Sequence, residues 1–234
     1  MKEYLNHRDS SDEKNRLLGI VWAYSTLGLY KNAVSECKKL INIDLNDPSS
    51  YMELAMCYKD AGKIEKAIKY YGYTIKRFPE YSCAYVNLGY IFEKHKKRND
   101  MAIVCYEKAS ELDPDDEWSL NNIGAILSKE GKWENALSYY KRAYNVNKQN
   151  DHILHNLGWA HYHCKNYKKA WLVYNDLVNK HPDNAAMHSD FGCVAYRIGD
   201  YRKALNLFEK ALSMKPNDRC CKRLWKMANE KMGS

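Results

Sequence analysis

Two places in the 234-residue chain gather side chains able to do chemistry. "HILHNLGWAHYHC" (152–164) holds His152, His155, His161, His163 and Cys164, the nitrogen and sulfur donors that bind zinc. Cys220 and Cys221 stand side by side and offer two thiolates. Neither spacing makes a site. On a helix turning about 100° per residue, His152 and His155 share a face and His163 follows two turns after His155. His161, however, falls on the apolar stripe of Leu154, Leu157 and Gly158. A vicinal cysteine pair supplies only half of a four-ligand zinc shell. "HRDSSDEKN" (7–15) has the His-Arg-Asp of a kinase loop, but its Asn is one residue too far, and no Gly-rich loop or Asp-Phe-Gly follows. No phosphate loop or dinucleotide fingerprint is present. The expectation is a chain that is not an enzyme, with no catalytic residue, no metal and no cofactor.

A third set of residues is spaced for recognition. "VNLGYIF", "LNNIG", "HNLGWAH" and "SDFGCVA" place Asn87, Asn122, Asn156 and Asp190 each two residues before a glycine. Gly89 and Gly124 are 35 residues apart, and Gly158 and Gly192 follow at steps of 34. Asn and Gly are both poor helix formers. With Leu120 at 0°, Ile123, Gly124 and Leu127 lie at about −60°, +40° and −20°, and Asn122 at about 200°. Gly124 is therefore a packing residue, and Asn122 faces away from the packing. An Asn amide offers a peptide unit both a donor and an acceptor. The same face carries Tyr90 and Trp159 three residues on, and Lys94, Lys129, His163 and Arg197 seven residues on, flanked by Tyr162 and Tyr196. Aromatics and cations together suit a peptide with apolar anchors and some acidic residues. Asn121 has no explanation at this level, because Val86, His155 and Ser189 at its equivalent places form no pattern.

These residues require helices in pairs. One unit runs Leu120, Ile123, Gly124, Leu127, then a turn at Gly131, then Trp133, Ala136, Tyr140 and Ala143. The next units repeat the spacing through Tyr174 and Phe208. Pro79, Pro114, Pro182 and Pro216 follow the second helices, where a helix cannot easily continue. The pattern W-x2-L-G-x2-Y, then G-x-Y-x2-A-x3-F-x2-A and P, is carried by "YMELAMCYKDAGKIEKAIKYYGYTIKRFP" (51–79) and "FGCVAYRIGDYRKALNLFEKALSMKP" (191–216). The chain thereby resembles the tetratricopeptide repeat (TPR) family over about nine-tenths of its length.

The resemblance implies an all-α, right-handed superhelical solenoid of six helix-turn-helix repeats: 14–47, 48–81, 82–116, 117–150, 151–184 and 185–218. The third has one extra residue in its turn "KHKKRND". The first departs most, with Leu17, Gly19 and Val21 in place of Trp, a polar residue and Gly. An extension (1–13), mobile over its first ten residues, precedes it, and the first helix starts near Ser11 on the capping-box spacing of Ser10 and Glu13. Residues 219–234 form a capping helix, with Leu224 and Met227 covering the last repeat. In the family the row of Asn87, Asn122 and Asn156 lines a concave groove, and it resembles the asparagine ladders that grip extended peptides. The clamp that holds chaperone C-termini needs Lys or Arg at the first-helix groove positions, such as Ser49, Cys83, Trp118 and His152 and the row itself. None carries one, so that task is not expected.

Composition sets the outer bounds. Hydrophobic residues make up 45% and charged residues 28%, as in a folded soluble protein. The net charge of +8 is uneven: "RCCKRLWKMANEKM" (219–232) has five basic residues against one acidic, read as a solvated helix face. The eight cysteines show no disulfide framework, which fits a reducing compartment. With no apolar leader and no long apolar run, a cytoplasmic protein without membrane contact is expected. The expected task is a scaffold binding an extended protein segment. An RNA-binding helical repeat or a self-assembling homo-oligomer is the alternative, nucleic acid being the less favoured partner.

Overall fold

The computed structural model describes residues 2–233, with side chains from Ser11 onward. Among the described residues it holds thirteen α-helices and no strand. Two compact units divide the chain, Met1–Pro114 and Asp115–Ser234. The first contains α1 (Lys2–Thr26), α2 (Tyr30–Ile43), α3 (Pro48–Asp60), α4 (Ile64–Arg77), α5 (Ser82–Ile91) and α6 (Asn99–Leu112). The second contains α7 (Glu117–Lys129), α8 (Trp133–Val146), α9 (Asp151–His163), α10 (Tyr167–Lys180), α11 (Ala185–Ile198), α12 (Tyr201–Met214) and α13 (Arg219–Met232). Within each unit every helix packs on its neighbours in chain order, as in an all-α repeat solenoid.

Local chemistry starts the helices. Asp47, Asp116, Asn150, Asn184 and Asp218 precede α3, α7, α9, α11 and α13, and each accepts a hydrogen bond from a backbone N–H of the first turn. Such a cap stabilises a helix by about 1 kcal/mol. The turns inside the helix pairs need a left-handed residue. Gly131 (φ 76°) and Gly199 (φ 94°) supply it, and Lys97 (φ 56°) and Lys165 (φ 60°) take the same place without being glycine.

Inside each pair an aromatic ring of the second helix lies on a glycine of the first. A Cβ added at Gly89, Gly124, Gly158 or Gly192 would come within 2.8, 2.7, 3.0 or 2.5 Å of the ring of Tyr106, Tyr140, Tyr174 or Phe208. In the second repeat Ala55 and Tyr71 hold these two places, both fully buried. The first repeat reverses the sizes: Val21 stands at the small position and Cys37 at the ring position, and both are buried. Ala33, Ala67, Ala102, Ala136, Ala170 and Ala204, one turn before the ring position, are likewise fully buried.

Three expectations are corrected. Helix α1 begins at Lys2, not near Ser11. The Ser10 side chain, and with it half of the capping box and the side chains of the segment expected to be mobile, lies outside the described residues. The extra residue of the third repeat is absorbed by a π-helical turn, Phe92–Lys96, that extends α5. That turn buries Glu93, which accepts a hydrogen bond from the Tyr106 hydroxyl at 3.3 Å. On α13 it is Cys221 and Ala228 that are buried, while Met227 is 40% exposed and Leu224 half-buried. Trp225 donates its indole N–H to Glu209 at 3.1 Å.

A methyl group is crowded under these rings and free of contact at Gly72. Gly192→Ala forces the Phe208 ring to shift. Overpacking of this kind destabilises by about 1–3 kcal/mol, of which better helix propensity offsets about 1 kcal/mol. Nothing lies within 4 Å of a Cβ at Gly72, in the middle of α4. Gly72→Ala is expected to stabilise by about 1 kcal/mol. Urea denaturation followed by circular dichroism measures both, and Gly192→Ala should cost less in a Phe208→Leu background than in the parent.

Candidate functional site

The face of the second unit opposite its glycines is built on α7, α9 and α11. Its polar row is not a set of free amides. Asn156 Nδ2 donates to Asn121 Oδ1 at 2.9 Å, and His155 Nε2 donates to Asp190 Oδ2 at 2.8 Å. Both bonds span 35 residues and join consecutive repeats at the same two places. Asn121 is thereby explained: it is buried and accepts from the next repeat. Asn122 behaves differently. Its Nδ2 is buried and has no hydrogen-bond partner. A buried unpaired donor costs about 1–3 kcal/mol.

Aromatic and cationic side chains gather beside this row. The His163 ring stacks on Trp133 with centroids 3.7 Å apart and planes 5° apart. Trp159 meets Tyr162 edge-on at 5.0 Å and also touches Tyr174 of its own repeat. Arg197 Nε donates to the Tyr162 hydroxyl at 3.0 Å, again across 35 residues. Burial, together with the Arg197 charge, lowers the pKa of His163, so neutral imidazole is favoured in the stack. Tyr196 lies against Tyr201 with centroids 5.5 Å apart, and Lys129 is exposed at the end of α7. Trp159, Tyr162, His163 and Arg197 thus form one cluster, and Asn156 and Asp190 form the polar row next to it. Trp133 was not anticipated. Its place at the start of the second helix gave no sign that His163 would fold back onto it.

The first unit carries its own share of the predicted residues on α5. Asn87 Nδ2 donates to its own helix, to the Cys83 carbonyl at 2.9 Å. Tyr90 packs edge-on to His95 at 6.2 Å, and the Lys59 ammonium sits 5.8 Å from its ring centroid. Lys94 pairs with Glu93. On α1 and α3 the unit has an open depression of about 520 Å³, lined by Trp22, Ser25, Glu53, Met56, Cys57 and Asp60 among others. Burial, and then the Asp60 charge, raises the pKa of the Glu53 carboxyl.

The histidines that drew attention as donors are dispersed. His152 is exposed, His155 is bonded to Asp190, His163 is stacked on Trp133, and His161 is buried in the core. Cys220 is exposed and Cys221 buried, so the two thiols point to different surroundings. Among the described residues no three His, Cys, Asp or Glu side chains gather at metal-ligating distance.

Tetratricopeptide repeat models match residues 17–47, 49–81, 80–149, 127–189 and 185–218. The chain belongs to the tetratricopeptide repeat family. Solved structures show the same fold. YrrB, described as a TPR protein with an unusual peptide-binding site, superposes with a TM-score of 0.73 at 19% identity, covering 81% of this chain and 97% of its own. PilF of Pseudomonas aeruginosa gives 0.73 at 16% identity, covering 95% of this chain and 99% of its own. A TPR protein from Cytophaga hutchinsonii gives 0.70 at 21% identity, covering 90% and 84%. No curated protein matches the chain by sequence. No described helix is long and apolar enough to cross a membrane.

His161 generates a pH-dependent stability. Burial, with Lys141 and Lys169 adding to it, lowers its pKa from 6.5 to about 4. The unfolded chain therefore takes up this proton first as pH falls. The contribution is complete above about pH 6.5 and is lost between there and about pH 4, on the order of 3 kcal/mol. Thermal unfolding from pH 7.5 to 4.5 should show His161→Leu losing less stability than the parent across this window. Parallel curves would leave His161 without the role.

Proposed function

We propose that this TPR chain is a protein-interaction scaffold, and that the α7–α9–α11 face of its second unit receives an extended segment of a partner. The observation that carries the reading is the cluster of Trp159, Tyr162, His163 and Arg197. Its rings are part-exposed and already held in place by one another, so little side-chain entropy is lost on binding. Aromatic and Arg side chains of this kind are the usual anchors of protein interfaces. Arg197 uses one donor on Tyr162 and keeps others for a carboxylate of the partner. Asn156 retains its carbonyl oxygen and a second N–H for a peptide unit, and Asn122 is the proposed contact of the preceding repeat. Lys129, Asp190 and Tyr196 border the same face.

In the first unit Asn87, Tyr90 and Lys94 are the proposed contacts on α5. The peptide-binding site described for YrrB supports the reading at the level of the fold. We assign the chain no catalytic role, and a reducing, cytoplasmic setting suits its eight free thiols.

An affinity pull-down from native cell extract, read by mass spectrometry, tests the proposal. Four baits are compared: the parent, Trp159→Ala with Arg197→Ala, the triple change Asn87→Ala, Asn122→Ala and Asn156→Ala, and Leu172→Ser. Leu172 is 70% exposed on α10, outside the proposed face. The parent and Leu172→Ser should capture the same proteins, and the Trp159/Arg197 bait should lose them with helicity unchanged. Retention of the partners by that bait sinks the site. Capture of RNA that weakens steeply with salt would favour the nucleic-acid alternative.

A further inference from the structure

The first repeat fills the ring position with a thiol. Five repeats put Tyr71, Tyr106, Tyr140, Tyr174 or Phe208 there, whereas the first puts Cys37. Cys37 Sγ lies 3.6 Å from Cys57 Sγ, across the packed pair α2 and α3. Ser25 Oγ lies 3.6 Å from the same Cys57 sulfur. Both thiols are buried, at 0% and 2% exposed. Only Cys57, of the two, lines the open depression of about 520 Å³, together with Ser25. Cys57 is therefore the thiol on the side of the depression, and Cys37 lies behind it.

We propose that Cys37 and Cys57 form a peroxide-oxidisable dithiol that closes to a disulfide and clips the first repeat to the second. Hydrogen peroxide is the oxidant. The Cys57 thiolate attacks one peroxide oxygen, the O–O bond breaks, and the departing hydroxide takes a proton and leaves as water. Cys57 is now a sulfenic acid. The Cys37 sulfur attacks it, the S–O bond breaks as the S–S bond forms, and the leaving hydroxide carries off the Cys37 proton as a second water. Two thiols are oxidised and one peroxide is reduced. Hydrogen bonds from Cys37 and, after the opposing effect of burial, from Ser25 lower the Cys57 pKa, with Glu53 and Asp60 acting against them. The Cys37 thiol shifts the other way, held protonated by its bond to Cys57 and by burial. The place of Cys57 at the depression, with Cys37 behind it, sets the order: Cys57 is the attacking thiolate and Cys37 resolves. Bond formation draws the sulfurs about 1.5 Å closer, a movement open to side chains in contact.

The test uses the full chain under native conditions. It is exposed to hydrogen peroxide, its remaining thiols are alkylated in denaturant, and it is mapped by non-reducing peptide mass spectrometry. The expected result is a Cys37–Cys57 cross-link, removed by dithiothreitol, and a higher thermal midpoint than the reduced chain. Dimedone should label Cys57 in Cys37→Ala, and Cys57→Ala should give neither the cross-link nor a label at Cys37. Recovery of Cys37 and Cys57 as alkylated thiols, after the exposed Cys83 and Cys220 have been oxidised, overturns the proposal. So does a disulfide confined to Cys193, Cys220 and Cys221. A dimedone label on Cys37 in place of Cys57 overturns the order of attack. The map of the parent chain stands without either variant, so a variant that fails to fold leaves the test intact.

Discussion

The structure depends on one contact, an aromatic ring pressed against a glycine of the paired helix. The four glycines leave no room for a methyl group under Tyr106, Tyr140, Tyr174 and Phe208. The helices of a pair therefore approach as closely as backbone allows, and the ring is buried in full. Removing such a ring would cost about 3–5 kcal/mol, which is why small and large residues are tied together across the pair. The contact also decides orientation. With glycine turned into the pair, the residue two places earlier must turn out. Asn122, Asn156 and Asp190 sit where they do because Gly124, Gly158 and Gly192 sit where they do.

A polar row presented outward need not be a free row. Asn156 and Asp190 each bond to the residue one place before the row in the preceding repeat, Asn121 and His155. These bonds tie one repeat to the next at a place where the packing contributes little. A stack of repeats needs such ties, because its stability is a sum of repeat and nearest-neighbour terms. The same atoms then have less to offer a ligand. Recognition shifts toward the side chains that keep an exposed surface, the rings of Trp159 and Tyr162 and the guanidinium of Arg197.

The helix pairs were legible in the sequence because glycine, alanine and proline are punctuation that geometry enforces. Gly131 and Gly199 marked their turns for that reason. Lys97 and Lys165 adopt the same left-handed backbone with no such mark, so those turns show only in their spacing. The π-helical turn at Phe92–Lys96 was visible as one extra residue but not as a shape. Which face carried the asparagines followed from a rotation per residue. Where their amides point did not, because a side-chain rotamer is chosen by the neighbouring repeat. Asn121 is the clearest instance: no pattern at its own position explains it, yet the residue 35 places on does. On α13 Met227 looked suited to the core and Cys221 did not. The smaller residues went inside because close helix approach favours them over a long flexible chain.

The first repeat shows how the constraint can be met another way and what that opens. Val21 is too large to lie under a ring, and Cys37 is too small to be one; together they fill about the volume that a glycine and a tyrosine fill elsewhere. The exchange keeps the pair closed, as the full burial of Cys37 shows. It also replaces an inert ring by a polarizable sulfur that reaches beyond its own pair to Cys57. A tyrosine at that position could only pack. A thiol can pack and also react, and its reaction would add a covalent bond between the packed helices α2 and α3.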